Sequence, residues 1–140
     1  MAQERAYIGL LEPPPLTQSR SFWTSLLEKG HPFLVAVDGH AVGWCDVVPL
    51  PRPLSAHVGA LGMGLLPTYR GRGIGSRLLA AALEASRACG LERVELTVFA
   101  DNDRARRLYL KMGFVVEGVQ ARRAKIDGRY RDEVVMAREL

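Results

Sequence analysis

The chain has 140 residues, 48% of them hydrophobic and 24% charged, the proportions of one soluble globular domain spanning 1–140. It holds no apolar run of membrane length and no signal-peptide pattern, and its two cysteines, Cys45 and Cys89, form no Cys-x-x-Cys motif; this excludes a membrane protein and a disulfide scaffold and points to reduced thiols in the cytoplasm. The net charge of +4 is crowded between Arg104 and Arg131, as a solvated surface or a field for a polyanion or acidic partner, but the recognition helix and stacking aromatics that nucleic-acid binding needs are missing.

In chain order, Tyr7–Leu11 reads as a short edge strand that Pro13, Pro14 and Pro15 end in an extended segment. Thr17 or Ser19 can cap a helix through Phe22, Trp23, Leu26 and Leu27 that closes at Gly30. Phe33–Val37 and Ala41–Val48 flank Asp38-Gly39, a two-residue hairpin signal. Pro49, Pro51 and Pro53 make a stiff loop. Val58–Leu66 is the next strand, with Gly59, Gly62 and Gly64 marking a bulge or a ligand lying against backbone.

The stretch Leu61–Ser76 is a strand, a turn carrying Gly71, Gly73 and Gly75, and the start of a helix. Main-chain N–H groups converge there on the positive end of the helix dipole, which makes a phosphate cradle. A P-loop would need Gly-Lys-Ser/Thr, and no lysine follows any of the glycines. A dinucleotide fingerprint would read Gly71-x-Gly73-x-x-Ser76, with serine in place of its third glycine and Glu92, Glu95 or Asp101 as the distal acid. The third reading is Arg70-x-x-Gly73-x-Gly75.

The helix that follows places Ile74, Leu78, Leu79, Ala82, Leu83 and Ser86 on one face and closes at Gly90. Glu92–Phe99 is a strand with Val94, Leu96 and Val98 on one side and Glu95, Thr97 and Phe99 on the other. Asp101-Asn102-Asp103 caps a helix running to Met112, on which Asn102, Ala105 and Tyr109 share a face. By themselves Asn102 reads as a cap and Tyr109 as core. Residues 114–126 and 129–138 are two long strands joined at Asp127-Gly128. His31, His40 and His57 have no metal-ligand spacing, so no metal is expected.

Arg70-x-x-Gly73-x-Gly75 resembles the acyl-CoA pyrophosphate loop of the GNAT superfamily of N-acyltransferases. Asn102-x-x-Ala105-x-x-Leu108-Tyr109-x-Lys111-x-Gly113-Phe114 is similar to a second hallmark of that superfamily. Asp127-Gly128-x-Tyr130-x-Asp132-Glu133-Val134-x-Met136 is similar to the last hairpin of several members that acetylate amines and amino acids. The resemblance covers residues 33–138. It implies an α/β (α+β) fold with a mixed, largely antiparallel central sheet, helices on both faces and a shortened N-terminal region. It further implies acetyl transfer from acetyl-CoA to the primary amine of a small molecule or amino acid, by direct attack and without a covalent enzyme intermediate.

Position by position, the resemblance implies that main-chain groups of Met63 and Leu65 pair with the pantetheine arm and that the Leu65 amide polarises the thioester. The amides of Arg70, Gly71, Arg72, Gly73, Ile74, Gly75 and Ser76 would hold the pyrophosphate. Asn102 would bond the pantetheine, and Tyr109 would protonate the departing thiolate. Some protein-acetylating members carry a glutamate base where this chain has Thr97. Glu95, on the same strand face, is the substitute adopted, with Asp46 and His57 on neighbouring strands as alternatives. The rival functions are a non-catalytic acyl-CoA-binding module, a protein N-terminal or lysine acetyltransferase, and a dinucleotide-dependent oxidoreductase. With room for one helix, around Phe22–Lys29, ahead of the first hairpin, the acceptor side is expected to be open or covered by a second copy in a homodimer. Phe22, Trp23 and the Pro49–Pro53 loop would lie at its border.

Overall fold

Apolar residues at helical spacing give the first described element, α1 (Leu16–Glu28), in a computed structural model that describes residues 16–140. The Tyr7–Leu11 strand and the triple-proline segment lie outside the described residues. Thr17 and Ser19 are not caps, because the helix already includes them; the Ser21 hydroxyl donates to the Thr17 carbonyl at 3.0 Å, one turn back. Gly30, at φ 69°, follows the helix in the left-handed conformation that a helix stop favours.

The remaining elements are β1 (Phe33–Val37), β2 (Ala41–Pro49), β3 (Val58–Leu65), α2 (Ile74–Ala88), β4 (Arg93–Phe99), α3 (Asp103–Lys111), β5 (Val115–Ile126) and β6 (Arg129–Glu139). The β1–β2 connection differs from a two-residue turn. Val37 pairs with Ala41 across a register shift, and Asp38 N–H donates to the His40 carbonyl at 2.9 Å, so three residues make the bend. Asp127 and Gly128 do form the two-residue turn, both at positive φ (50° and 79°). Strand β5 shifts register twice, and Asp132 Oδ1 accepts the Arg122 N–H at 2.8 Å at the second shift.

The sheet order is β1-β2-β3-β4-β6-β5. Among the described residues only the β3–β4 pair is parallel; the other four pairs are antiparallel. A doubly wound dinucleotide fold needs the parallel run to continue past β4, and antiparallel β6 occupies that side instead. Strand alternation sends Cys45, Val47, Val94, Leu96, Val98, Val134 and Met136 to one face. They are covered there by the apolar stripe of α2, by Tyr109 of α3 and by Phe114. Fully buried side chains such as Leu79, Phe114 and Met136 each contribute about 1.5–3 kcal/mol. The opposite face is covered at β1 by α1, whose Trp23 ring stacks on Phe33 with centroids 5.6 Å apart and planes at 17°. Phe22, expected at the same border, is exposed. Helices therefore flank both faces. Among the described residues no helix is long and apolar enough to cross a membrane.

Candidate active site

Strands β3 and β4 pair at only three positions, Val58 with Arg93, Gly59 with Val94 and Ala60 with Glu95. Beyond them β3 continues to Leu65 and β4 to Phe99 with no pairing between them. The sheet opens there. Which main-chain groups face the opening follows from strand alternation. The Val58 carbonyl and the Leu66 N–H both bond β2-side partners, Leu50 and Val42, at 2.9 and 2.8 Å. Val58, Ala60, Gly62, Gly64 and Leu66 thus direct their main-chain groups to β2, whereas Leu61, Met63 and Leu65 direct theirs into the gap. On the far side, the Ala100 N–H bonds Asp132 at 2.9 Å, so Val98 and Leu96 face β6 and Thr97 and Phe99 face the gap.

The glycine turn closes one end of this opening. Arg70 Nε donates to the Leu65 carbonyl at 3.1 Å, anchoring the turn to the end of β3. Gly71 and Gly73 have φ of 75° and 80°, a region costly for residues with a Cβ, and a Cβ on either would project into open space. Gly73 is the N-cap of α2 and offers no side-chain cap, so the N–H groups of Ile74, Gly75 and Ser76 end the helix uncapped by any side chain. Arg77 N–H is already intrahelical, bonding the Gly73 carbonyl at 3.2 Å. Gly75 has another function. A Cβ there would stand 3.3 Å from Leu108 Cδ2 and 3.8 Å from Met63 Cε, so this glycine lets α2 approach α3 and β3 closely.

Helix α3 brings Asn102 and Tyr109 to the same buried side, 8% and 7% exposed. Asn102 Oδ1 accepts the Ala105 N–H at 3.2 Å, which fixes the amide plane. Its NH2 group makes no hydrogen bond among the described residues. The same holds for the Tyr109 hydroxyl, whose ring sits 5.8 Å from that of Phe114. Burial, and secondarily the Cys45 thiol, raise the Tyr109 phenol well above its ordinary range. Tyr109 therefore keeps its proton through the neutral range. Cys45 is fully buried and its thiol is pushed up to about 12, first by burial and then by Asp46, so it is a packing residue and not a thiolate nucleophile.

Glu95 stands at the closed end of the gap, half-buried, 3.8 Å from Arg93 Nη2. Arg93 also bonds Glu117 of β5, so Glu95 shares a cation that is already engaged. By strand alternation Glu95 and Tyr109 lie on opposite faces of the sheet, and only the opening connects the two faces. His57 is exposed ahead of β3, where its carbonyl accepts the Glu92 N–H at 2.8 Å. Asp46 is buried on β2, and Trp44 Nε1 donates to its Oδ2 at 3.0 Å. The sequence reading passed over Trp44. Its signal was positional: two residues before Asp46 on a strand, it must share a face with it.

The chain matches the model of the Acetyltransferase (GNAT) family over residues 3–114. It is 34% identical to the L-amino acid N-acetyltransferase AaaT of Escherichia coli (strain K12) over 141 aligned residues, covering 98% of this chain and 86% of that one. It is also similar to the crystal structure of ribosomal-protein-alanine N-acetyltransferase from Brucella melitensis, with 26% identity, a TM-score of 0.89, and 95% and 83% of the two chains covered. A phosphinothricin acetyltransferase from Sinorhizobium meliloti in complex with acetyl-CoA shares the fold at a TM-score of 0.88, with 23% identity and 94% and 72% of the two chains covered.

Proposed function

The chain belongs to the acetyltransferase (GNAT) family, and from that premise we propose that it acetylates the primary amine of an amino acid or a similar small molecule with acetyl-CoA, by direct attack. The observation that carries the reading is the opening between β3 and β4, flanked by the Met63 main chain and the Leu65 N–H, which have no strand partner there, and ending at a helix without a side-chain cap. Such residues suit acetyl-CoA. An extended pantetheine amide can add to a free strand edge, and a pyrophosphate suits converging N–H groups over positions with no Cβ.

When bound, acetyl-CoA supplies a thioester, an acyl group already activated for transfer. The chain supplies the rest. Amides from Arg70 to Ser76 hold the pyrophosphate. The Met63 main chain orients the arm, and the Leu65 N–H polarises the thioester oxygen as charge develops on it. Asn102 is held by its cap with the NH2 group free to donate. The Tyr109 hydroxyl gives its proton to the departing sulfur; the burial that raises the phenol also makes a thiolate beside it more basic, so the transfer is matched.

An amine acceptor agrees with the AaaT similarity, whose name specifies L-amino acids. The Brucella similarity favours a second reading, acetylation of a protein N-terminus. An assay of acetyl-CoA with the twenty L-amino acids, their amides and Ala-initiated peptides, following CoA release, separates the two. Turnover on free amino acids with little on peptides is expected. Turnover on peptides alone would replace the first reading with the second.

A further inference from the structure

On the face of the sheet away from α2, the strip beside the opening is almost bare of side chains on β3. Gly62 and Gly64 stand there opposite Asp46 and Trp44 of β2. Both glycines belong to the part of β3 beyond its last pairing with β4. The Trp44 indole donates to Asp46 Oδ2, while Oδ1 has no hydrogen bond among the described residues. A Cβ on Gly62 would sit 3.4 Å from Oδ1 and 3.7 Å from Oδ2. Glycine therefore leaves the carboxylate uncovered toward the opening. On the other side, Phe33 is the register partner of Asp46 and is itself covered by the Trp23 ring.

Asp46 is only 6% exposed. Burial penalises the charged form of a carboxylate in such a place, and a positive donor at Oδ1 offsets that penalty. Among the described residues no cation is in position to do so. Neither β1 nor β3 carries a titratable side chain. Cys45 faces the other side of the sheet, and Arg20 and Glu28 of α1 are exposed. His31 lies in the turn into β1 with its Nδ1 buried and unpartnered, and Glu95 of β4 pairs with Arg93. What is missing beside Oδ1 is a positive hydrogen-bond donor.

Building on the acetyl-transfer reading, we propose that Asp46 binds the acceptor's ammonium group through Oδ1 and takes its proton, releasing the amine that attacks the thioester held along Met63 and Leu65. An O–H bond forms on Asp46 as one N–H bond breaks, and the electron pair stays on nitrogen. That pair makes the N–C bond; the C–S bond breaks and its pair leaves on sulfur, which takes the Tyr109 proton. The surplus proton on the new amide nitrogen returns to the Tyr109 oxygen, and Asp46 gives its proton to solvent. One proton is released per turnover. Burial raises the Asp46 carboxyl to about 6, against the lowering effect of the Trp44 bond. It is thus ionised at neutral pH and more basic than an exposed carboxylate.

The test uses the full chain with acetyl-CoA and the amino-acid and amide panel above. Asp46→Asn preserves the side-chain size and the acceptor for Trp44. It should bind CoA with unchanged affinity by calorimetry, lose about 100-fold or more in kcat/KM, and lack the acid limb expected near 6 in the wild-type pH profile. Asp46→Glu should restore part of the rate. Trp44→Phe removes the donor that favours the ionised form and should move the acid limb above its wild-type position. Asp46→Asn with wild-type turnover and acid limb, or an unmoved limb in Trp44→Phe, overturns the assignment while leaving acetyl transfer intact. Loss of CoA affinity in Asp46→Asn would make the residue a structural support and also overturn it. A wild-type chain that turns over nothing in the panel removes the acetyl-transfer reading itself.

Discussion

Tyr69 donates its hydroxyl to Asp38 Oδ2 at 2.9 Å, which ties the glycine turn before α2 to the β1–β2 hairpin across 31 residues of sequence. Arg72 lies over the same ring, 5.1 Å from its centroid. The cradle is thereby held from outside as well as by Arg70. Tyr69→Phe loses one exposed hydrogen bond, so KM for acetyl-CoA should rise modestly, roughly two- to five-fold, with kcat unchanged. Steady-state kinetics with varied acetyl-CoA checks this; an unaltered KM would mean that the turn needs no such tether.

Gly73→Val should act twice. The residue sits at φ 80°, where a side chain costs about 1–2 kcal/mol, and its branches would fill the space over the uncapped amides. CoA binding should be abolished in calorimetry, and the melting temperature should fall by a few degrees. Binding at wild-type affinity would move the pyrophosphate elsewhere.

Asn102 caps α3, and the bond to pantetheine proposed for it can be tested separately. Asn102→Ala should cost about 1 kcal/mol through the lost cap on α3 and also weaken CoA binding. Asn102→Ser keeps a capping oxygen but has no NH2 group, so stability should hold while CoA affinity still falls. Equal affinity in the serine variant and the wild type would limit Asn102 to capping.

Tyr109→Phe removes a hydroxyl that makes no hydrogen bond among the described residues, so the fold should change little in stability. The proton for the leaving sulfur is lost, and kcat should drop about 100-fold with CoA affinity retained. Rapid-quench measurement of the acetyl-transfer step is the direct check, and an undiminished rate would return Tyr109 to the core.

Asp46 also makes a prediction about stability. Its carboxyl holds a proton more tightly in the folded chain, at about 6, than at its ordinary 3.8. The contribution is complete below about pH 4 and is lost as pH rises through 6, because the charged form is the one that burial penalises. Asp46→Asn removes that slope. Its stability relative to wild type should therefore increase by up to about 3 kcal/mol between pH 4 and 7. Urea unfolding at those two values measures it; parallel changes in both proteins would place the charge in water.

What the sequence determined by itself was local. The period of Leu78, Leu79, Ala82 and Leu83, the alternation of Val94, Leu96 and Val98, and the glycines at positive φ are requirements of the chain on its nearest neighbours, and they appear as spacing. The face shared by Asn102 and Tyr109 was legible for the same reason. The tertiary structure decided what depends on residues far apart in sequence. The parting of β3 from β4 after Ala60, the packing of Gly75 against Leu108 and Met63, and the engagement of Glu95 by an arginine already bonded to Glu117 all arise from pairing across the sheet. Asp46 shows the distinction most clearly. Its strand position was legible, but a carboxylate becomes chemically significant through what surrounds it: an indole on one oxygen, bare glycine beside the other, and a neighbouring strand whose Phe33 is stacked under Trp23.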